Sequence, residues 1–126
     1  MFEKLDPRSP TPLYAQIAER LRAAIVTREL TPAEALPSVR QLAASLRVNP
    51  ATVVQAYREL EAEGFIEMRQ GTGTYVREVS PGQRNAERDR QATELVRRLL
   101  VEAARLGLSG REVAAAFERE LGERVR

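Results

Sequence analysis

Between Ser38 and Gly64 the chain writes two helices back to back with almost no residue to spare, and that economy constrains the fold most. Ser38 is followed three residues on by Gln41, the reciprocal arrangement in which side chain and backbone cap each other at a helix start. Leu42, Ala43 and Leu46 then recur at helical spacing as a buried stripe, with Arg40 in the first turn on the other side. Arg47 and Val48 reverse the chain. Asn49 offers a second cap, with Pro50 at the first helical position, where a missing N–H does no harm. Val53, Ala56, Tyr57 and Leu60 keep helical spacing and face inward, Tyr57 as core. The opposite face carries Ala51, Gln55, Arg58 and Ala62, flanked by Thr52 and Val54. Gly64 stops the helix as a left-handed cap.

A hairpin follows directly. Phe65-Ile66-Glu67-Met68-Arg69 and Thr74-Tyr75-Val76-Arg77 are β-prone, with Ile66 and Met68 on one side, and Gln70-Gly71-Thr72-Gly73 joins them. Glycines at such a tip permit positive φ and let the backbone approach a partner closely. The tip is no phosphate loop, because no strand-to-helix transition with a following Lys-Ser/Thr is present. Two capped helices, a tight turn and a hairpin make a winged helix-turn-helix, with the hairpin as wing.

The flanks read as supports. Phe2 and Leu5 lie on a polar, Pro-punctuated lead-in that reads as an extended arm docked on the domain. Thr11 offers a side-chain cap and Pro12 a first helical position for a helix bearing Leu13, Tyr14, Ile17, Leu21, Ala24 and Ile25, ending near Thr27. Leu30, Pro32, Leu36 and Pro37 form a connector whose leucines close over the core. Beyond the wing, Ser80-Pro81-Gly82-Gln83 read as a linker. Ala92, Leu95, Val96, Leu99, Leu100, Ala103 and Leu106 then recur at helical spacing up to Gly107 and Leu108. Ser109 with Glu112 starts a last helix carrying Val113, Ala116, Phe117 and Leu121. Two helices of this size do not close a dry core alone, and a second copy is the most available cover. Leu95, Val96, Leu99, Leu100, Val113, Phe117 and Leu121 are the expected dimerisation residues, with Arg97, Arg98 and Arg105 on the outer face. The expected fold is therefore mainly α with a small β-hairpin: a winged helix-turn-helix over residues 1–79 and a two-helix dimerisation tail over 80–126.

Composition narrows the chemistry. The 126 residues include no cysteine, no histidine and a single lysine, Lys4, so acid–base, nucleophilic and zinc chemistry lose their usual agents. Glu61 with Glu63, and Glu118 with Glu120, stand two apart and point to different sides of a helix, as solvated faces do. No enzyme, cofactor or metal is expected. No apolar run nears the roughly 20 residues that span a bilayer, and the first ten residues lack a secretory core. The expected setting is the cytoplasm, with no membrane partner.

The net charge of +2 is small, but between Ala35 and Arg58 the only ionised residues are Arg40, Arg47 and Arg58. That local basicity suits an anionic partner met on one face. In a helix-turn-helix the second helix reads bases in the major groove from its N-terminal turns. Here Gln55 suits adenine, Thr52 a phosphate or base edge, and Ala51 a thymine methyl. The N–H groups around Asn49 favour a phosphate oxygen. Arg40 suits a phosphate or guanine, with Ser38 beside it, and Arg47 a backbone phosphate. Gln70 and Gly71 can enter the flanking minor groove, with Arg69 beside them. The candidate contact set on double-stranded DNA is Ser38, Arg40, Arg47, Asn49, Ala51, Thr52, Gln55, Arg69, Gln70 and Gly71. For Arg58, pairing with Glu61 and contact with DNA weigh evenly, and Arg77 reads as a solvated strand residue. The rival reading is a winged-helix protein-interaction module without sequence-specific DNA binding. A groove between subunits would leave room for a small-molecule effector, although no polar cluster defines one.

The run Leu36-Pro37-Ser38-Val39-Arg40-Gln41-Leu42-Ala43 resembles the signature of GntR-family bacterial transcription regulators. So do Val48, Thr52-Val53, Ala56-Tyr57, Leu60-Glu61, Glu63-Gly64, Gly71-Thr72-Gly73-Thr74-Tyr75-Val76 and the upstream Pro12-Leu13-Tyr14-Ala15-Gln16-Ile17. The short helical tail is similar to that of the YtrA subfamily. The resemblance implies a dimeric repressor on a palindromic operator, with half-sites roughly 34 Å apart, often controlling a membrane transporter operon. It implies DNA contact by Arg40, Asn49, Ala51, Thr52, Gln70 and Gly71. Two departures stand out. The family usually has glycine where this chain has Arg28 and Ala33, so a different connector turn is expected. Asn49-Pro50-Ala51 is also poorer in basic groups than in many relatives, which puts more weight on Arg40 and the wing.

Overall fold

Ile17, Leu21, Val53, Tyr57, Leu60 and Ile66 are the largest fully buried side chains, and they come from three elements, the first of them distant in sequence from the other two. A computed structural model describes residues 5–124. In order these form α1 (Leu13–Val26), β1 (Ala35–Leu36), α2 (Val39–Leu46), α3 (Pro50–Ala62), β2 (Ile66–Arg69), β3 (Gly73–Val76), α4 (Pro81–Arg105) and α5 (Gly110–Arg124). The described chain divides into two compact units between Glu87 and Arg88.

In the first unit α1 and α2 both pack on α3, so the apolar stripes of both close on that helix. The chain enters α1 differently from expectation. Pro12, not Thr11, is the N-cap residue, and no side chain caps the helix. Gln16 does the work from inside: its amide donates to the carbonyls of Asp6 and Thr11 and accepts from the Asp6 N–H, all at 2.8 Å. Those bonds bend the lead-in, where the Ser9 N–H returns to Asp6 O at 3.2 Å, so residues 6–9 are a turn and not an extended arm. Leu5 packs on the core as expected; Phe2 lies outside the described residues.

The connector before α2 holds a third strand that the sequence reading missed. β3 lies between β1 and β2, antiparallel to both, with Ala35 opposite Tyr75 and Glu67 opposite Tyr75 on the other side. A two-residue strand leaves no alternation to detect, so only its partner reveals it. The expected change of turn is also corrected. Arg28 (φ 64°) and Ala33 (φ 70°) both hold the left-handed backbone that favours glycine. Two non-glycine residues thus carry backbone strain that glycine would not.

The expected linker at Ser80-Pro81-Gly82-Gln83 is instead a helix start. The Ser80 Oγ accepts the Gln83 N–H at 3.1 Å and Gln83 Oε1 accepts the Ser80 N–H at 3.0 Å, with Pro81 in first position. The breaker residues are a complete capping box. Gln83 also donates to Glu63 O at 3.3 Å, and Glu87, only 5% exposed, faces Arg22 of α1, 3.7 Å away.

In the second unit α4 ends as the sequence indicates. Gly107 takes φ 76°, and the Leu108 N–H returns to Ala103 O at 2.8 Å. Ser109 and Glu112 cap α5 reciprocally at 3.0 and 3.1 Å, and the Ser109 N–H, with its hydroxyl, holds the Glu112 carboxyl below its ordinary range. Ala103 is buried, but Leu95, Val96, Leu99, Leu100, Phe117 and Leu121 are exposed, from 43% to 61%. Val113 is half-buried.

Candidate nucleic-acid interface

Both paired helices begin on side-chain caps. The Ser38 hydroxyl accepts the Gln41 N–H and Gln41 Oε1 accepts the Ser38 N–H, at 3.1 and 3.0 Å. Asn49 Oδ1 accepts the Ala51 N–H at 2.9 Å, and Pro50 supplies the first turn's fixed φ. Between them Arg47 is the left-handed residue (φ 57°, ψ 46°) that turns the chain. Its conformation sends the Val48 N–H back to Ala43 O at 3.0 Å.

The inward face of α3 is as expected: Val53, Ala56, Tyr57 and Leu60 are completely buried. The Tyr57 hydroxyl donates to Pro37 O at 2.6 Å, and burial pushes its pKa up to about 12. Ala51, Gln55, Arg58 and Ala62 are exposed and Thr52 is half-exposed. Ser38, Arg40, Arg47 and Asn49 are exposed too, as are Arg69, Gln70 and Gly71. Every candidate contact residue is thus reachable by a partner, and the α3 portion of the surface is uncharged up to Arg58.

Three arrangements were not legible. Glu61 is not a solvated acid: its carboxylate accepts the Met68 N–H at 2.7 Å, joining the end of α3 to β2, and no Glu61–Arg58 ion pair forms among the described residues. Glu63, although exposed, is not a lone acid either, since it takes a two-pronged bond from Arg22, with Nε to Oε2 at 3.1 Å. Arg22 also lies 3.7 Å from both Glu59 and Glu87, so one buried cation gathers carboxylates from α3, its C-terminal end and α4. Arg69, expected beside the tip as a DNA contact, lies over the Tyr75 ring at 4.7 Å and pairs with Glu67 at 3.3 Å. A helical pattern marks Arg22 only as polar, and nothing local ties it to residues some forty positions away.

Residues 13–76 match the family described as bacterial regulatory proteins, gntR family. The chain is similar to the HTH-type transcriptional repressor YtrA of Bacillus subtilis (strain 168), at 47% identity over 75 residues, 60% of this chain and 58% of that protein. It therefore spans little more than half the length of that relative. Among solved structures it resembles a GntR family transcriptional regulator from Listeria monocytogenes (TM-score 0.67, 32% identity, 88% of this chain and 96% of that one). It also resembles YtrA from Sulfolobus acidocaldarius, a GntR-family transcription factor (TM-score 0.58, 38% identity, 76% and 95%). The latter two extend the likeness past the wing into the C-terminal helices.

Proposed function

The chain belongs to the gntR family of bacterial regulatory proteins, and from that membership we propose that it is a DNA-binding transcription regulator acting as a dimeric repressor on a palindromic operator. One observation carries the reading: a firmly capped α3 buries Val53, Ala56, Tyr57 and Leu60 completely and leaves Ala51, Thr52 and Gln55 outward without a charge. A helix surface kept for water alone would normally carry acids and lysines, whereas base edges are met by short, uncharged and hydrogen-bonding side chains.

In this reading α3 lies in the major groove, with Ala51, Thr52 and Gln55 at base edges. Ser38, Arg40, Arg47 and the amides around Asn49 hold phosphates. Gln70 and Gly71 enter the flanking minor groove. The exposed Leu95, Val96, Leu99, Leu100, Phe117 and Leu121, with Val113, cover one another in a second copy, which sets two reading heads about one helical turn apart. The operon of a membrane transporter, in the cytoplasm of a bacterium, is the setting that the YtrA likeness suggests.

The test is enrichment of duplexes from a random-sequence library by the full chain, followed by binding at several salt concentrations. The expected result is a two-fold symmetric consensus and a steep fall in affinity with salt. Failure to enrich any sequence would leave the protein-interaction reading in its place.

A further inference from the structure

The outer face of the small sheet carries a device for which helix and strand patterns give no sign. Strand register puts Ala35, Glu67, Arg69, Gly73 and Tyr75 on one face, and Leu36, Ile66, Met68, Thr74 and Val76 on the other. The second set faces the core. On the first, the Tyr75 ring leans toward the tip. Its hydroxyl donates to Thr72 O at 3.1 Å, and its hydroxyl oxygen and ring edge lie 3.4 and 3.6 Å from where a side chain on Gly73 would begin. The Arg69 guanidinium covers the ring at 4.7 Å and pairs with Glu67 at 3.3 Å. Within the tip the Thr72 N–H and hydroxyl both return to Arg69 O, at 3.1 and 3.3 Å, and Gly71 takes φ 83°. Residues 69–72 are thus a closed turn, clamped at its base.

Resting on the regulator reading above, we propose that Tyr75 is a positioning residue for minor-groove entry. Its ring and hydroxyl, with Arg69 laid across the ring, fix the turn so that Gln70 and Gly71 alone project. Arg69 then acts inside the wing and not on a phosphate. A cation stacked on an aromatic face and paired with a carboxylate is already engaged within the wing, and a phosphate would have to compete with those contacts. A turn closed at both ends, through the Arg69 and Thr72 carbonyls, loses little freedom when it enters a groove, and that preorganisation is where the affinity arises.

The experiment uses the full chain with a duplex recovered from a random library by the wild-type protein. Tyr75→Leu should lose hydroxyl-radical protection at the flanks while keeping it at the centre, with affinity down about tenfold. Tyr75→Phe, which keeps the ring and loses only the bond to Thr72 O, should restore part of the flanking protection. Arg69→Gln should leave the slope of log affinity against log salt unchanged, whereas a phosphate contact would reduce it by about one unit. Flanking protection retained by Tyr75→Leu, or a reduced slope for Arg69→Gln, would overturn the proposal. Should the wild-type chain recover no duplex, the regulator reading fails. Amide exchange at Thr72 in the free protein then judges the clamp alone: faster exchange in Tyr75→Leu than in Tyr75→Phe supports it, and equal exchange overturns it.

Discussion

Tyr57, in the middle of α3, donates its hydroxyl to the carbonyl of Pro37 at 2.6 Å, tying the helix proposed to read bases to the residue that launches α2. One side chain thereby fixes the two paired helices to each other from beneath. Tyr57→Phe should lower stability by about 1 kcal/mol, the net worth of a buried hydrogen bond, as read by a urea midpoint near neutral pH. The same phenol predicts an alkaline loss. Burial raises its pKa from 10.0 to about 12, so its contribution is complete below pH 10. Above pH 10 the unfolded chain ionises first, and stability falls by about 2 kcal/mol by pH 12. Tyr57→Phe should flatten that part of the curve.

Ala33→Gly should stabilise the protein by about 1 kcal/mol, because φ 70° strains any side chain and not glycine. Arg28→Gly should do nearly as well. It gives up only an exposed 3.4 Å pairing with Glu78, which is worth little. Thermal unfolding of the two variants and their double mutant checks both the sign and the additivity.

Arg47 should separate stability from binding. Arg47→Gly relieves a left-handed residue at the helix-turn-helix corner and should raise stability by about 1 kcal/mol. It should also weaken the enriched duplex and lower the salt slope by about one unit. Equal binding by this variant would remove Arg47 from the phosphate contacts.

Arg40→Ala should leave the melting temperature unchanged, since the side chain is exposed in the first turn of α2. Duplex binding should weaken by about 1–3 kcal/mol. Fluorescence anisotropy at fixed salt measures the loss. Wild-type affinity would discard its assigned role.

Arg22→Leu should be the most damaging of these changes, at about 3 kcal/mol, because it strips the buried Glu87 of a facing cation. A second change, Glu87→Leu, should recover part of that loss, a coupling that a double-mutant cycle reads directly.

The sequence disclosed what local rules govern. Ser38–Gln41, Asn49–Pro50, Gly64 and Ser109–Glu112 are decisions made within four residues, and each stands where the pattern puts it. Ser80–Gln83 obeys the same rule, yet Pro81 and Gly82 masked it as a break. What escaped was non-local. β1 exists only because Val76 and its neighbours lie beside it, and the Arg22 cluster joins residues brought together by the packing of α1 on α3. The stacking of Arg69 on Tyr75 depends on strand register, which fixes the face only once the hairpin is closed.

A hairpin held out from the body to meet a partner offers its backbone to any passing strand, and such rims are where chains polymerise. Here the middle strand, β3, is flanked on both sides, by β1 and β2. The outer rim of β2 is met at Met68 by the Glu61 carboxylate, an acceptor that also repels the next backbone carbonyl. The bond that joins α3 to the wing therefore also plugs a growth point, so that Glu61→Ala should reveal itself first as clumping in concentrated stocks.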